Sequence, residues 1–424
     1  MYFTTVLSEA MSENSTCIGV ECNQTISMPL IDSMKAILKA DIDVTEINKV
    51  LKAYIKKEIK VGFENSVKKI IKDVLVSNIT KGNQSLEARP KDSKRNDYFL
   101  LFTDGYRSQY ATAKALISKQ GNGRVSAYYF SNGLNQSLNI MNNNEYSLNR
   151  EAYMTDGLTN AGIELHSNVK CMVYGMIYNN YSSGGFSGYS EGYLAIPSIF
   201  LGRNYIVPSF KVYNENSDSM IAITPSESST TVNLNFQMTS GIVTYKHKKF
   251  LGNDNLTIVL NKYETFQISH TSDLTGTLIS STSPVAVVSG NKCNYISGGG
   301  GCNPFIEMVL PVEQLDTAYI VPHIATRFNS TVRVISLRDG SITIQSNNQV
   351  TTKHCREREF VDFYHDSIAI INATSNVCVM IYPHEMENKN GDAFMMTIHG
   401  INQYLPEYNF VVPSGFTSYL SVTV

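Results

Sequence analysis

The sequence contains no tryptophan, only 12 prolines and no long apolar run, and its charge is nearly balanced. Its 424 residues carry 35 Lys and Arg against 37 Asp and Glu, a net charge of −2. This balance argues against nucleic acid as the main partner. No apolar segment reaches the roughly 18 residues that a membrane-spanning helix requires, so we predict no transmembrane segment.

Motifs of several common catalytic and metal sites are missing as well. The chain has no H-E-x-x-H and no P-loop, and "SGGGGC" (297–302) lacks the lysine and following helix that bind phosphate. His and Cys residues crowd the last third of the chain, but none has the close C-x₂-C or H-x₃-H spacing of a zinc site. They are His354, Cys355, His365, Cys378, His384 and His399. We therefore predict no enzyme, no metal site and no cofactor.

One short pattern recurs along the chain. "NYIVPSF" at 204–210 returns as "AYIVPHI" at 318–324 and as "YNFVVPS" at 408–414. An aromatic residue and β-branched residues closed by proline indicate a strand that ends or bends at a fixed place, because proline has no backbone N–H to donate. Three such segments indicate three copies of one module.

The regions before the copies also correspond. Pro197 and Pro311 precede the first two copies, and each copy has an upstream run with apolar residues at every second position, which is typical of a strand. These runs are "SNVKCMVYG" (167–175), "SPVAVVSG" (283–290) and "SNVCVMIYP" (375–383). A polar or Gly-rich loop follows each run. We predict a mainly β fold of tandem antiparallel β-sandwich-like modules behind a short α-helical N-terminal segment.

The predicted boundaries follow from these landmarks. Residues 1–80 form the helical segment and residues 81–96 a polar linker broken by Pro90. The three β modules span 97–203, 204–317 and 318–408, and 409–424 form a closing strand or a truncated fourth module.

The N-terminal region has a different pattern, with apolar residues at helical spacing and lysines between them. The two stripes are Ile47, Val50, Leu51, Tyr54 and Ile55, and Val67, Ile70, Ile71, Val74 and Leu75. Each stripe puts one apolar face on a helix. The pair fits a helical hairpin packed on itself or on the first β module, an oligomerising element within 29–77, or a membrane-surface helix.

Seven cysteines bear on the compartment. Cys293 and Cys302 enclose a short Gly-rich loop, Cys355 and Cys378 have the spacing of neighbouring strands, and Cys17 with Cys22 make a third pair. Cys171 falls on the apolar face of its strand and is expected to be a buried free thiol. Three disulfides would fit an oxidising compartment, hence a secreted or extracellular location, although the first residues do not resemble a signal peptide. Asn-x-Ser/Thr sites for glycosylation occur at Asn14, Asn23, Asn78, Asn83, Asn135, Asn180, Asn255, Asn329 and Asn372.

The middle of the chain resembles a known family. Asp273-Leu-Thr-Gly-Thr, then Pro284-Val-Ala-Val with Ser289, Gly290 and Cys293, then Leu310-Pro311 and the Tyr319–Pro322 strand occur in the order seen in the N-terminal region of the IgGFc-binding protein family. The resemblance covers about 96–424 and is densest over 192–340. It implies secreted, mucus- or surface-associated proteins.

The loops 179–192, 291–304 and 383–392 occupy one equivalent position in the three modules, and we expect partner binding there, because recognition is often carried by loops on a rigid scaffold. The candidate aromatic anchors are Tyr181, Phe186, Tyr189, Tyr193, Tyr295 and Phe305. The predicted function is extracellular binding or adhesion toward glycoprotein or immunoglobulin-like partners. One alternative is a structural spacer or assembly module without a ligand. Another is a von Willebrand type A-like metal-dependent adhesion domain, suggested by "FLLFTDGY" at 99–106.

Overall fold

The structure is a computed structural model. It describes residues 2–4, 26–30, 35–39, 96–103, 105, 110–119, 122–131, 134–140, 145–148, 152–179, 188–214, 217–296, 302–347, 349–385, 391–404, 407–411 and 418–422. Residues 1–37 and 94–424 form one compact unit, and residues 38–93 form a second.

The described residues form short strands throughout. The first twelve are β1 (Tyr2–Thr4), β2 (Ile26–Leu30), β3 (Lys35–Lys39), β4 (Asn96–Leu100), β5 (Ala111–Lys119), β6 (Val125–Ser131), β7 (Leu134–Ile140), β8 (Glu145–Ser147), β9 (Gly157–Thr159), β10 (Ile163–Ser167), β11 (Cys171–Asn179) and β12 (Tyr189–Leu194). The next ten are β13 (Asn204–Ile206), β14 (Ser219–Pro225), β15 (Thr230–Asn235), β16 (Val243–Tyr245), β17 (Lys248–Phe250), β18 (Asn255–Leu260), β19 (Thr265–His270), β20 (Leu278–Ser281), β21 (Val285–Asn294) and β22 (Asn303–Met308).

The remaining strands are β23 (Asp316–Val321), β24 (Ser330–Ser336), β25 (Gly340–Ser346), β26 (Gln349–Cys355), β27 (Phe360–His365), β28 (Ala369–Pro383), β29 (Met396–Ile398), β30 (Glu407–Val411) and β31 (Ser418–Val422). Three 3₁₀ helices also lie in the described part of the chain, at Ser198–Phe200, Val312–Gln314 and Ile401–Gln403. None of these three has the length or the apolar content of a membrane span.

The strands join into antiparallel sheets, which confirms the predicted mainly β fold. Two four-stranded sheets run β4-β10-β6-β7 and β12-β11-β5-β8. A four-stranded sheet β13-β20-β15-β18 and a five-stranded sheet β22-β21-β14-β19-β9 follow. A seven-stranded sheet is built around β28, which pairs with β23, β24, β25 and β29 along its 15 residues.

The structure describes only three short stretches of the predicted helical segment 1–80. Residues 2–4, 26–30 and 35–39 are strands, and β1 and β2 pair with opposite edges of β31. Pairing with a strand distant in sequence overrides a local pattern, because it satisfies backbone groups that no local periodicity reveals. The two predicted helical stripes, over 47–55 and 67–75, lie outside the described residues.

Three clusters of buried apolar side chains hold the sheets together. We call them the first core, which contains most buried apolar residues of 98–201, the second core, within 205–309, and the third core, within 319–398. Regular alternation places residues in the second and third cores; for example, β18 alternates exposed and buried residues along its whole length. This is the pattern of a strand with one solvated face.

Some strands are instead buried on both faces for part or all of their length, and β21 and β28 are two examples. In β21, Val285 and Val287 lie in the second core, whereas Ala286 and Val288 lie in the first. In β28, the odd positions Val377, Val379 and Ile381 lie in the third core, and the even positions Cys378, Met380 and Tyr382 in the first. The first core therefore continues across the outer faces of the sheets that close the other two.

The recurring "YIVP" tyrosines make the same hydrogen bonds in two places. The hydroxyl of Tyr205 accepts from the backbone N–H of Gly202 at 2.8 Å and donates to the carbonyl of Val285 at 2.5 Å. The hydroxyl of Tyr319 accepts from the N–H of Asp316 at 2.8 Å and donates to the carbonyl of Val377 at 2.5 Å. Both rings are fully buried, so each hydroxyl ties a turn to the buried strand behind it.

Arg333 links the sheet of the third core to the segment that carries the Asp-Leu-Thr-Gly-Thr motif. Its guanidinium donates to Asp273 at 2.7 Å, to both carboxylate oxygens of Asp362, and to the backbone carbonyl of Ser209 at 2.9 Å. The ring of Phe360 covers it, with 3.7 Å between the guanidinium carbon and the ring centroid. Hydrogen bonds donated to these carboxylates, together with their negative charge, outweigh burial and hold the pKa of Arg333 above its usual value.

A second arginine contacts the same motif from a turn. Arg358 donates from Nε to the carbonyl of Gly276 at 2.9 Å and from Nη2 to the carbonyl of Phe236 at 2.9 Å. Gly276 has φ +88°, and a Cβ there would lie 2.3 Å from the Arg358 carbonyl oxygen. The motif glycine is therefore required both for its backbone conformation and for this close approach.

Replacing Arg333 with Met should destabilise the protein by about 3 kcal/mol, because the buried carbonyl of Ser209 and two carboxylates lose a charged donor. Chemical unfolding followed by tyrosine fluorescence would measure the loss. Arg338→Met, at an exposed position, is the matched control and should stay within about 0.5 kcal/mol of the parent. Equal stability of the two variants would contradict a structural role for this arginine.

Candidate functional site

The Gly-rich loop between β21 and β22 is closed by a disulfide. Cys293, in β21, and Cys302, just before β22, are bonded with their Cα atoms 5.1 Å apart. The bond follows an irregularity in the β21–β22 ladder between Asn291 and Asn294. It therefore fixes the point at which the hairpin opens into a loop.

The predicted Cys355–Cys378 disulfide is wrong. Both are free, buried thiols, and they lie in different cores: Cys355 in the third and Cys378 in the first. Their strands belong to one sheet, but the side chains leave it on opposite faces. Cys171 is also free, and it is half-buried at the edge of the first core. Cys17 and Cys22 lie outside the described residues.

Three of the four predicted aromatic anchors that the structure describes are core residues instead. Tyr189, Tyr193 and Phe305 are all nearly inaccessible to solvent and belong to the first core. The hydroxyl of Tyr193 accepts from the N–H of Leu101 at 2.9 Å and donates to its carbonyl at 2.8 Å. Alternation along β12 turns Tyr189 and Tyr193 inward, and Phe305 lies in β22, where every residue is buried, so these rings are not available to a partner. Tyr181 and Phe186 lie outside the described residues, and Tyr295 is half-exposed.

The three loops that were predicted to be equivalent contact one another. The amide of Asn303 donates to the carboxylate of Glu191 at 2.7 Å and to the carbonyl of Ala393 at 3.1 Å, and so joins all three predicted modules. The N–H of Ile296 donates to the carboxylate of Glu385 at 2.5 Å. We call the region around Glu191, Asn303, Arg327, Glu385 and Asp392 the loop junction. Sequence reasoning identified the loops as equivalent but gave no sign that they touch.

Carboxyl groups at and beside the loop junction have raised pKa values. Burial raises the pKa of Glu191 well above its ordinary value, and the neighbouring Glu307 adds to the shift. Burial likewise raises the pKa of Glu307 to about 8, although the backbone N–H of Thr397 donates to it at 3.3 Å. Burial raises the pKa of Asp392 to about 6 against the opposing effect of Arg327. These groups favour their neutral, protonated forms far more than exposed carboxyls do.

Arg327 provides the positive charge at the loop junction. Its side chain is buried, and Nη2 donates to the backbone carbonyl of Asp392 at 2.9 Å. Burial lowers its pKa to about 10, against the effect of Asp392, Glu385 and Glu191. Its Nε and Nη1, like Oδ1 of Asn303, have no hydrogen-bond partner among the described residues. The loop junction thus offers two donors and one acceptor to a polar group.

Exposed aromatic side chains border the loop junction. Phe328 follows Arg327 and is 69% exposed, and Tyr364 is 80% exposed and packs its ring 5.8 Å from that of His384. His384 receives a hydrogen bond from, or donates one to, the hydroxyl of Thr331 at 2.8 Å. Tyr295 stacks on Tyr213 with 4.2 Å between the ring centroids. We call Tyr213, Tyr295, Phe328 and Tyr364 the aromatic rim.

Sequence reasoning found only Tyr295 of the aromatic rim. Phe328 follows the "YIVP" copy at 318–324, and Tyr364 lies in β27, so both are away from the Gly-rich loops in sequence. The one available signal for Tyr364 was position, since in β27 it follows Val361 by an odd number of residues and therefore lies on the opposite face of the strand.

The residues considered for metal binding do not assemble into a site. No group of three or more His, Cys, Asp or Glu in the described part of the chain is placed to hold a metal ion. His365 instead contacts the carbonyl of Pro322 at 3.0 Å through Nε2. The "TDG" segment at 103–105, which suggested a von Willebrand type A-like domain, follows β4, and β4 pairs antiparallel with β10.

A sequence motif of catalytic sites also occurs in the first of the three predicted binding loops, 179–192. Residues 188–192, "GYSEG", match the G-x-S-x-G pattern of serine hydrolases. That pattern needs its serine on a sharp turn between a strand and a helix, but Ser190 lies inside β12, which pairs along its whole length with β11. The backbone therefore does not present Ser190 as a nucleophile.

Four of the nine glycosylation candidates lie among the described residues, and five lie outside them. Asn255, Asn329 and Asn372 are exposed, and Asn135 lies in β7. Asn14, Asn23, Asn78, Asn83 and Asn180 lie outside the described residues. Carrier asparagines must be at the surface, and the three exposed positions meet that requirement.

Comparison with known proteins identifies relatives for the C-terminal half. Residues 191–424 match the family described as IgGFc binding protein. A segment of 87 residues is 34% identical to the human (Homo sapiens) protein named IgGFc-binding protein and covers 20% of this chain and 2% of that protein. The chain thus matches only a small part of the length of this relative.

Two solved structures of adhesins also resemble the chain weakly. One, from work on host cell surface retention of a 1.5-MDa bacterial ice-binding adhesin, is 9% identical, covers 72% of this chain and 96% of its own, and has a TM-score of 0.13. The other, a Ca²⁺-stabilised adhesin described as helping an Antarctic bacterium bind ice, is 7% identical, covers 72% and 73%, and has a TM-score of 0.11. At these scores, no functional argument rests on either structure.

Mass mapping of the unreduced, unfolded protein should find Cys171, Cys355 and Cys378 open to alkylation, and Cys293 with Cys302 only after reduction. The native fold should protect Cys355 and Cys378, since both are buried. A peptide linking Cys355 to Cys378 would contradict the placement of these side chains in separate cores.

Replacing Glu307 with Gln should increase stability most at alkaline pH. A carboxyl whose folded pKa is about 8 instead of 4.5 destabilises the fold increasingly as pH rises between those values, because the unfolded chain ionises first. The stability gain of Glu307→Gln should therefore grow from about pH 4.5 and level off above about pH 8, as measured by urea unfolding across that range. Glu357→Gln, at an exposed position, should show no such pH-dependent gain. A constant difference for Glu307→Gln would contradict a raised pKa.

Proposed function

Because the chain belongs to the IgGFc-binding protein family, we propose that it is a non-catalytic, secreted or extracellular binding protein that recognises glycoprotein or immunoglobulin-like partners. The family match supports an extracellular binding role and does not identify the partners. The Cys293–Cys302 disulfide fits an oxidising compartment, and the exposed Asn255, Asn329 and Asn372 are compatible with a glycoprotein.

The observation that carries the proposal is the convergence of three equivalent loops beside an exposed aromatic rim. Hydrogen bonds from Asn303 and Ile296 hold the loops together, and the disulfide adds a covalent restraint. Such a surface loses little conformational entropy on binding. Tyrosine and phenylalanine supply large contact areas, which are typical of interface anchors.

The predicted modular organisation forms part of the proposal. The three cores and the matching hydrogen bonds of Tyr205 and Tyr319 support repeated modules over 97–203, 204–317 and 318–408. Oligomerisation through 29–77 is a further hypothesis that rests on the sequence alone.

A structural spacer without a ligand is the second candidate function. The shared first core favours it, since sheets joined through one continuous core would hold attached domains at a fixed separation. A spacer has no reason to expose large aromatic side chains together, however, and the aromatic rim therefore favours binding.

The double variant Tyr295→Ser/Tyr364→Ser should weaken binding by about tenfold or more if the aromatic rim is the interface. Binding of the parent and the variant to the Fc fragment of immunoglobulin G and to purified mucus glycoproteins would be measured by surface plasmon resonance. Phe200→Ser removes a comparably exposed ring from the 3₁₀ helix at Ser198–Phe200 and is the matched control. Melting temperatures of all variants should match the parent.

Two results would decide against this proposal. Unchanged affinity of the double variant for a ligand that the parent binds would remove the aromatic rim from the interface. Absence of parent binding to every tested protein and glycoprotein would favour the spacer.

A further inference from the structure

A small hairpin away from the loop junction presents a cluster of basic side chains. Among the described strands, β16 and β17 pair with each other and with no other strand, in the register Val243↔Phe250, Thr244↔Lys249 and Tyr245↔Lys248. The two residues between them, Lys246 and His247, form the turn. Lys246, His247, Lys248 and Lys249 are all exposed.

The hairpin is anchored to the protein by its apolar residues. Val243 is buried in the second core, and Tyr245 and Phe250 pack against that core. The ring of Tyr245 meets Phe266 edge-on, with 5.0 Å between centroids, and that of Phe250 lies 6.2 Å from Phe236. The basic tip is therefore held by a fixed base.

The positive charges of the hairpin are not neutralised locally. Lys114, Lys262 and Lys292 form ion pairs with carboxylates elsewhere. Within the part of the chain that the structure describes, no carboxylate pairs with Lys246, Lys248 or Lys249. The chain as a whole carries a net charge of −2, so this concentration of positive charge is a local feature and not a consequence of composition.

The turn keeps bulky basic residues where glycine or asparagine is usual. Lys246 has φ 46° and His247 has φ 63°, the left-handed conformation that a two-residue hairpin turn of type I′ requires. Residues with a long side chain are disfavoured there. Outliers of this kind are concentrated at functional sites, and one of the two here, Lys246, carries a positive charge.

We propose that this basic hairpin binds sulfated polysaccharide chains, separately from the loop junction. Opposite residues of a hairpin share a face, so Lys248 lies on the face of Tyr245 and Lys249 on the other, while Lys246 and His247 occupy the tip. Positive charge at the tip and on both faces suits a flexible, linear polyanion, which can wrap around the hairpin. Lysine ammonium groups act as point charges and need no planar, bidentate partner.

Other polyanions fit the hairpin less well. A hairpin that enters a membrane surface would carry apolar residues at its tip, but the exposed apolar residues here, Ile242 and Leu251, lie at the base. Single-stranded nucleic acid is usually held by stacking on aromatic rings. The rings of Tyr245 and Phe250 pack against the core and do not form an open stacking platform.

The test compares the full chain with a charge variant on immobilised heparin. Lys246→Gln/Lys248→Gln/Lys249→Gln should weaken binding about tenfold at low salt and reduce the slope of log affinity against log salt by roughly two to three, since fewer counterions are released. Lys170→Gln/Arg338→Gln/Lys353→Gln removes the same charge from three scattered exposed positions and should keep nearly all of the affinity and slope. No binding by the parent, or equal losses in both triple variants, would overturn the proposal.

A second variant separates charge from folding. Lys246→Asn/His247→Gly introduces the preferred residues for this turn and should raise the melting temperature while it weakens heparin binding. Unchanged heparin binding by this stabilised variant, together with full heparin binding by the variant Lys246→Gln/Lys248→Gln/Lys249→Gln, would show that the hairpin is not the site.

Unsulfated hyaluronan should bind more weakly than heparin, and equal binding would contradict selection of sulfate. Tighter parent binding to vesicles of equal parts phosphatidylcholine and phosphatidylserine, or to single-stranded RNA, would assign the hairpin to that ligand and overturn the polysaccharide proposal.

Discussion

The architecture depends on strands that must satisfy two cores at once. β21 over 285–288 and β28 over 377–382 give alternate side chains to different cores, so each residue in these two stretches is constrained by packing on one side or the other. A one-residue slip would exchange the two sets and put side chains of the wrong size into both cores. Arg333 and the hydroxyls of Tyr205 and Tyr319 fix the register that this arrangement requires, because each makes a hydrogen bond to one backbone carbonyl that only the correct alignment presents.

The same constraint explains why the loops converge. Because the sheets share the first core, their relative positions are fixed, and the loops at their ends come together. At that place Asn303 joins Glu191 and Ala393, and a buried arginine lies beside carboxyl groups whose pKa values are raised by burial. A polar cluster of this kind adds little to stability, but it restricts how the loops can be arranged. The aromatic rim is thereby presented on a surface with a defined shape.

The two proposed binding surfaces differ in physical character. The aromatic rim combines contact area with a preorganised base, which suits a folded protein or glycoprotein. The basic hairpin offers charge without a flat surface, which suits a flexible polyanion and gives an interaction that salt weakens. A protein that works among extracellular glycoproteins could use both, one for specificity and one for retention near acidic polysaccharides.

The sequence by itself determined the β fold, the repeated strand that ends in proline, the family resemblance and the pairing of Cys293 with Cys302, because alternation, proline placement and a short loop are local properties. It did not determine which face of a strand meets which core, since period-two alternation distinguishes two faces but does not say that both are buried. For that reason the predicted Cys355–Cys378 bond is wrong, and Tyr189, Tyr193 and Phe305, predicted as surface anchors, are buried. Only the tertiary structure decided that the first core extends behind the other two sheets. That one packing relation buries the expected anchors, separates the two thiols and places Phe328 and Tyr364 beside the loops.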